Sequence, residues 1–479
     1  MTENVDVVVL NYINHGETKE MLDSLKKHYS LVQGMEKAVI LFGAFERHNF
    51  GDMLMLYVFK KLLNKYDITA IPASLVESDM RRYGGELVYS LSKIIGNLNV
   101  EVDMPVIHVG GETLPVSKEG CLRMNIPNIN LTQDSKENII KIIGKNYDRS
   151  FGYITPATEN IKGVQRVFIT RIFYGIGYTK KSSNTVNSNL ILRDLKDSCF
   201  LGLRDGDSVG NAQSDGLEKA EFTPDCVLLI SDLWPVQKPS FLPDGRYVLV
   251  HFNQRYLHRH FDIISEQIMQ IREIFDFVVI GVAGLAHDSF ELNCKLKEIL
   301  ITKGVKTILL DIFDIHTITM TIACAQCVIS TSLHYRIVAA SYNVPRISLQ
   351  KNKVTSWAKY NDPHYPYAVI LSNIKESVIS ALQLSGNDSD QNINGLKRLS
   401  YNKIKKIIES ILIPHFAKGK LFNINIDHAS DTVDIIWLQA TAQYLELLAK
   451  QTNSIKWVFK QLIRLLIAKL KTSKGILKT

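Results

Sequence analysis

Residues 328–349 read VISTSLHYRIVAASYNVPRISL. Val328-Ile329-Ser330 has the apolar, β-branched character of a short buried strand. From His334 to Tyr342 the placing of Ile337, Val338, Ala340 and Ser341 suits a helix lying on a sheet, and Val344 to Leu349 reads as the next strand. Strand, helix and strand in that order form a parallel crossover unit. His334 then falls at the turn from strand to helix, where open α/β sheets hold their ligands. A histidine there can also cap or pack, so its neighbours must decide its role.

The same alternation runs through most of the chain. Strand-like runs occur at 37–42, 106–109, 166–169 or 172–174, and 199–203. A second set follows at 247–250, 277–280, 307–310, 328–330 and 346–349. Turn residues gather at Leu233-Trp234-Pro235-Val236-Gln237-Lys238-Pro239-Ser240 and again at Gly386-Asn387-Asp388-Ser389-Asp390. The expected architecture is α/β, with two doubly wound domains facing one another at 36–235 and 236–385. A helical extension at 386–479 follows them. Residues 1–35 read as an extra β–α element; VDVVVLNYINHGETKEMLDSLKKH is similar to the opening of a family-2 glycosyltransferase, but no DxD metal motif follows in the expected setting.

Composition sets limits on function. The 479 residues are 46% hydrophobic and 22% charged, as in soluble globular proteins. No apolar run is long enough to span a membrane, and the N-terminal stretch lacks the pattern of a secretion signal. Six irregularly spaced cysteines do not suggest a disulfide framework, so a cytoplasmic setting is expected. The net charge of +8 favours anionic substrates or surfaces and does not by itself point to nucleic acid.

Several loops at strand ends carry polar groups. Asn49, Gly51 and Asp52 lie where a glycine-bearing loop enters a helix whose free amides attract anions. Gly110 and Gly111 end another strand, where a tight turn is the plainer reading. Arg204 leaves a strand in Leu203-Arg204-Asp205 and can either grip a carboxylate or phosphate or pair with Asp205 or Asp225. Arg255 lies in the basic run from His251 to His260, which is either an anion-binding loop or a solvated one. Its histidines lack the acidic or cysteine partners of a metal site. The lone Cys324-Ala325-Gln326-Cys327 reads as packing.

Taken together, NxGD at 49–52, GGE at 110–112, GIG at 175–177, LRDxxS at 203–208, TPD at 223–225, Gly284-Leu285-Ala286-His287-Asp288 and SxSLH at 330–334 with Asn343-Val344-Pro345 resemble the polysaccharide pyruvyl transferase family over roughly residues 38–365. The resemblance implies a GT-B-like pair of Rossmann-like domains. It also implies transfer of a pyruvyl group from phosphoenolpyruvate to two sugar hydroxyls as a cyclic ketal. Two positions depart from the pattern: Ser332 stands where some relatives carry arginine, and Tyr335 stands where glycine is common.

That chemistry asks for cationic groups to hold a small trianion and for an acid/base near neutrality. His334 is the candidate acid/base, and Arg204, Arg255 and Arg336 are the candidate anion ligands, with Asn49, Gly51, Asp52, Gly110 and Gly111 lining the substrate. No metal and no cofactor beyond the donor are required. The implied partners are phosphoenolpyruvate and a glycan or lipid-linked oligosaccharide acceptor, with no nucleic acid. The basic amphipathic stretch 455–470 is expected to lie on an anionic membrane surface, peripheral to its cytoplasmic face, or to dock as a structural helix.

Overall fold

The computed structural model describes residues 37–417 apart from 76–77, 92–93, 95–102, 112–113, 115–152, 155–157, 162–163, 180–187, 285–287 and 385–386. The expected N-terminal β–α element, Glu112, His287 and the basic C-terminal stretch therefore lie outside the described residues. All described residues belong to one compact unit.

The first half contributes β1 (Ala38–Phe42), α1 (Phe50–Asn64), β2 (Thr69–Ser74), β3 (Ser78–Asp79), β4 (Leu87–Ser90), β5 (Asp103–Val109), β6 (Thr158–Ile161), β7 (Val164–Ile176), α2 (Ser188–Lys196), β8 (Phe200–Leu203), α3 (Gly206–Ser214) and β9 (Glu221–Phe222). Among the described residues these strands form a sheet of order β3-β4-β2-β1-β5-β7-β8-β9, with β6 added antiparallel on β7. From β4 to β9 every pairing is parallel. The two runs expected at 166–169 and 172–174 are one long strand, β7. Every residue of β1 is buried, as in parallel strands covered by helices on both faces.

The second half repeats the plan with β10 (Tyr247–His251), α4 (Gln254–Gln270), β11 (Phe277–Ile280), α5 (Phe290–Thr302), β12 (Thr307–Leu309), α6 (Ile315–Ala323), β13 (Cys327–Ser330), α7 (Leu333–Ser341), β14 (Arg346–Ser348), α8 (Asn352–Asn361) and α9 (Ile374–Gln383). Its sheet is wholly parallel in the order β12-β11-β10-β13-β14. Both sheets reverse direction beside their first strand, between β1 and β5 and between β10 and β13. A doubly wound sheet opens a crevice at that point, at the carboxyl ends of its strands.

The helix α10 (Asn387–Ile407) opens the expected C-terminal helical extension. It crosses back to the first half, where Ser400 Oγ lies 2.7 Å from the Tyr174 hydroxyl and Lys403 Nζ pairs with Glu221 at 2.6 Å. Lys397 Nζ donates to Ser231 Oγ at 2.6 Å and to Ser341 O at 3.0 Å. Among the described residues no helix is long and apolar enough to cross a membrane.

Candidate active site

The β13–α7 turn sets His334 at the second position of its helix. The ring lies against Gly51 in the first turn of α1: a Cβ on Gly51 would come within 1.7 Å of His334 Nδ1. On its other side, Nε2 lies 3.5 Å from Asp225 Oδ2. Asp225 is buried, and its Oδ1 accepts from the Val227 amide at 2.9 Å to cap the turn Cys226–Leu229. A histidine of the second sheet thus meets a glycine and a carboxylate of the first half.

The start of α1 is held from both halves. Asn49 Oδ1 accepts from the Gly51 amide at 3.2 Å, and the Phe50 amide donates to Ala283 O at 2.8 Å. Gly284 packs so closely that a Cβ there would lie 2.5 Å from His48 O. His48 Nε2 is 2.7 Å from Phe313 O, and burial pulls its imidazole below the usual histidine range, which favours the neutral ring. Ser332 precedes α7 without a side-chain cap. The first-turn amides of that helix are left without this partner, an arrangement that suits an anion.

A second histidine–carboxylate pair lies behind His334. His251 Nε2 is 3.1 Å from Asp288 Oδ1, and Nδ1 is 3.2 Å from Ser330 Oγ. Asp288 Oδ2 accepts from the Ala283 and Gly284 amides, which shapes the loop that meets α1. Burial raises the Asp288 carboxyl, but His251 and these two amides outweigh it and hold it below the usual range. Tyr335 explains how the turn tolerates a large residue after the histidine. Its ring stacks on His251 at 4.5 Å and its hydroxyl donates to Val282 O at 2.6 Å. Gly281 leaves the space, since a Cβ there would meet the Tyr335 hydroxyl at 2.6 Å.

The expected anion ligands are not all alike. Arg336 turns into the core, 1% exposed. Its terminal nitrogens donate to Ser348 Oγ, Pro366 O, Asp362 O and Tyr365 O at 2.9–3.1 Å, and Nε lies 2.8 Å from Asp362 Oδ2. With its four terminal N–H groups so engaged and Nε buried beside Asp362, the side chain presents no donor to a substrate. The reading of Arg336 as a donor ligand therefore gives way to a structural one. Asp362 is shared with Arg346, which grips it through Nε at 2.7 Å and Nη2 at 2.6 Å.

Arg204 is buried at the end of β8, with Nε 3.4 Å from Asp205 Oδ2. Of the two partners weighed for it, Asp205 is thus one, while Asp225 faces His334. Arg255 is exposed in the first turn of α4 and makes no ion pair among the described residues. Asp52 is buried 3.8 Å from Arg47 Nη2. Gly110 and Gly111 take left-handed backbone angles of +62° and +81°, and a Cβ on Gly110 would strike Met55 Sδ at 2.1 Å, so the turn is steric in origin. Asp225, His251 and Asp288 were each visible only as letters in a motif. No sequence signal tied any of them to its partner, because every pair spans distant elements. Among the described residues no three His, Cys, Asp or Glu side chains converge as a metal site.

Two doubly wound sheets, one mainly and one wholly parallel, with the histidine at their carboxyl edges define a GT-B-like α/β protein. The chain belongs to the polysaccharide pyruvyl transferase family, whose sequence model matches residues 49–350, more than half its length. No curated protein matches the chain. Among solved structures it is similar to the UDP-GlcNAc 2-epimerase from Methanocaldococcus jannaschii, at 14% identity and TM-score 0.45 over 76% of this chain and 99% of that one. It is also similar to a putative UDP-N-acetylglucosamine 2-epimerase from Listeria monocytogenes, at 13% identity and TM-score 0.47 over 78% and 96%. The UDP-GlcNAc 2-epimerase from Neisseria meningitidis bound to UDP-GlcNAc gives 12% identity and TM-score 0.46 over 79% and 100%.

Proposed function

We propose that the protein transfers the pyruvyl group of phosphoenolpyruvate to two hydroxyls of a sugar, closing a cyclic ketal, in the assembly of a bacterial surface polysaccharide. The observation that carries this reading is His334, held between Gly51 and Asp225 at the start of an uncapped helix, in a chain of this family. In the reaction one sugar hydroxyl adds to C2 of the donor as C3 takes up a proton. The second hydroxyl then displaces phosphate. His334 moves the protons, since one imidazole nitrogen can accept a proton while the other carries one. The amides of α7 with Arg204 and Arg255 receive the donor's phosphate and carboxylate. The acceptor is a glycan or lipid-linked oligosaccharide, met at the inner face of the cytoplasmic membrane.

The test is incubation of the full-length protein with phosphoenolpyruvate and a panel of glycans, read by phosphate release and product mass. A pyruvyl ketal is expected. Nucleotide release from a sugar nucleotide, with no ketal from phosphoenolpyruvate, would replace this reading with glycosyl transfer.

A further inference from the structure

Asp225 comes from the first half of the molecule and His334 from the second, yet the two side chains face one another at 3.5 Å. The carboxylate has little freedom. Its Oδ1 holds the Val227 amide at 2.9 Å, and the preceding Pro224 carbonyl accepts from the Tyr174 hydroxyl at 3.1 Å. The following Cys226 is fully buried and lies with its Sγ 3.9 Å from Met55 O. Oδ2 is thus presented from a rigid turn to a histidine Nε2 that is closed to solvent, makes no hydrogen bond and has this carboxylate as its facing charge at 3.5 Å. Nδ1 lies over Gly51, where the missing side chain leaves the room.

We infer that Asp225 is the positioning residue of His334: it keeps the Nε2 proton directed at its own carboxylate and leaves Nδ1 as the nitrogen that exchanges protons with the substrate. An ionised carboxylate only accepts hydrogen bonds, so the neutral ring facing it carries its proton on Nε2. When Nδ1 takes a proton from a sugar hydroxyl, the ring becomes a cation with N–H at both nitrogens. The adjacent carboxylate stabilises that cation without taking a proton itself. Release of the Nδ1 proton restores the starting ring. A separation of 3.5 Å is longer than a good hydrogen bond, and such contacts tighten when substrate binds. Because the partners come from different halves, the pair depends on the two sheets keeping their mutual placement at α1 and α7.

The catalytic part of this inference rests on the pyruvyl-transfer reading; the tautomer does not, and the test separates them. Full-length protein carrying ¹⁵N-histidine is examined by long-range proton–nitrogen correlation above the histidine titration range, with His334→Gln identifying the signal. The wild-type ring is expected as the Nε2–H tautomer. Asp225→Asn presents an amide NH₂ that can donate to Nε2, and the proton should move to Nδ1. Turnover should then fall roughly 10²- to 10⁴-fold with donor affinity retained, and Asp225→Glu should recover part of the rate. A wild-type Nδ1–H ring, or an unchanged tautomer in Asp225→Asn, overturns the proposal. If the Asn variant does not fold, the wild-type tautomer alone decides. A correct tautomer in a protein that makes no ketal leaves the pairing standing and removes the pyruvyl-transfer reading instead.

Discussion

Gly51 and His334 compete for the same volume: a Cβ on the glycine would stand 1.7 Å from the imidazole Nδ1, so the ring can occupy its place only because α1 carries no side chain there. Gly51 has an ordinary helical backbone, so alanine adds no backbone strain and is the better helix former. Gly51→Ala should therefore displace the ring, at an overpacking cost of about 1–3 kcal/mol in stability. Turnover should drop by about 100-fold or more, the scale of losing an acid/base. Wild-type turnover would show that the Nδ1 edge of His334 takes no part.

His334→Gln keeps similar bulk and hydrogen-bonding capacity but cannot shuttle a proton. The variant should fold and bind phosphoenolpyruvate, with turnover reduced by roughly 10²- to 10⁴-fold at saturating donor and acceptor. Thermal-shift and rate measurements on the same preparation check both halves. Retained turnover would end the acid/base assignment.

Arg336→Ala should act on stability. It removes a buried cation that satisfies Asp362 and three backbone carbonyls, and breaking such a pair costs about 3–5 kcal/mol. The denaturation midpoint should fall accordingly. Folded protein of wild-type stability with a specific loss of donor binding would restore Arg336 to the substrate site.

Arg255 is exposed, and its truncation should change stability by no more than about 0.5 kcal/mol. Phosphoenolpyruvate should raise the melting temperature of the wild-type protein by binding the native state, and Arg255→Ala should blunt that rise. An undiminished rise would remove Arg255 from the anion site.

Two buried histidines make stability depend on pH. Burial lowers His48, and it lowers His108 to about 3 despite a contact from His108 Nδ1 to Ile172 O. The unfolded chain therefore binds protons that the native state refuses. Stability is full above the free histidine value of about 6.5 and is lost as pH falls from there towards 3. Each group contributes at most about 1.4 kcal/mol per pH unit in that window. His108→Phe should flatten the slope by up to one proton in denaturation series run across it. An unchanged slope would place the proton uptake elsewhere.

Local sequence carried much of the architecture. The runs Ala38–Phe42 and Tyr247–His251 are buried along their whole length, and their apolar, β-branched makeup marks them as parallel strands without any knowledge of neighbours. The alternation with helices then leads to two doubly wound sheets. Strand β2 was hidden because Pro72 interrupts Thr69–Ser74, and proline ordinarily argues against an interior strand. Here Pro72 lies level with Leu41 of β1 in a parallel ladder.

Position in the chain also brought out His334, since a strand-to-helix turn is a local pattern. It could not say which way the next polar side chain faces. Arg336, two residues further on, lies on the opposite side of the helix surface and is drawn into the core by Asp362 and the 362–366 carbonyls. The sequence by itself determined the strand–helix alternation, the family and the turn that bears His334, because these rest on periodicity and short motifs. Only the tertiary structure decided that Gly51 makes room for that ring, that Asp225 faces it, and that Arg336 belongs to the core. Those contacts join residues separated by a hundred positions or more, or depend on helix rotation, and their energies come from packing and charge pairing that no local pattern encodes.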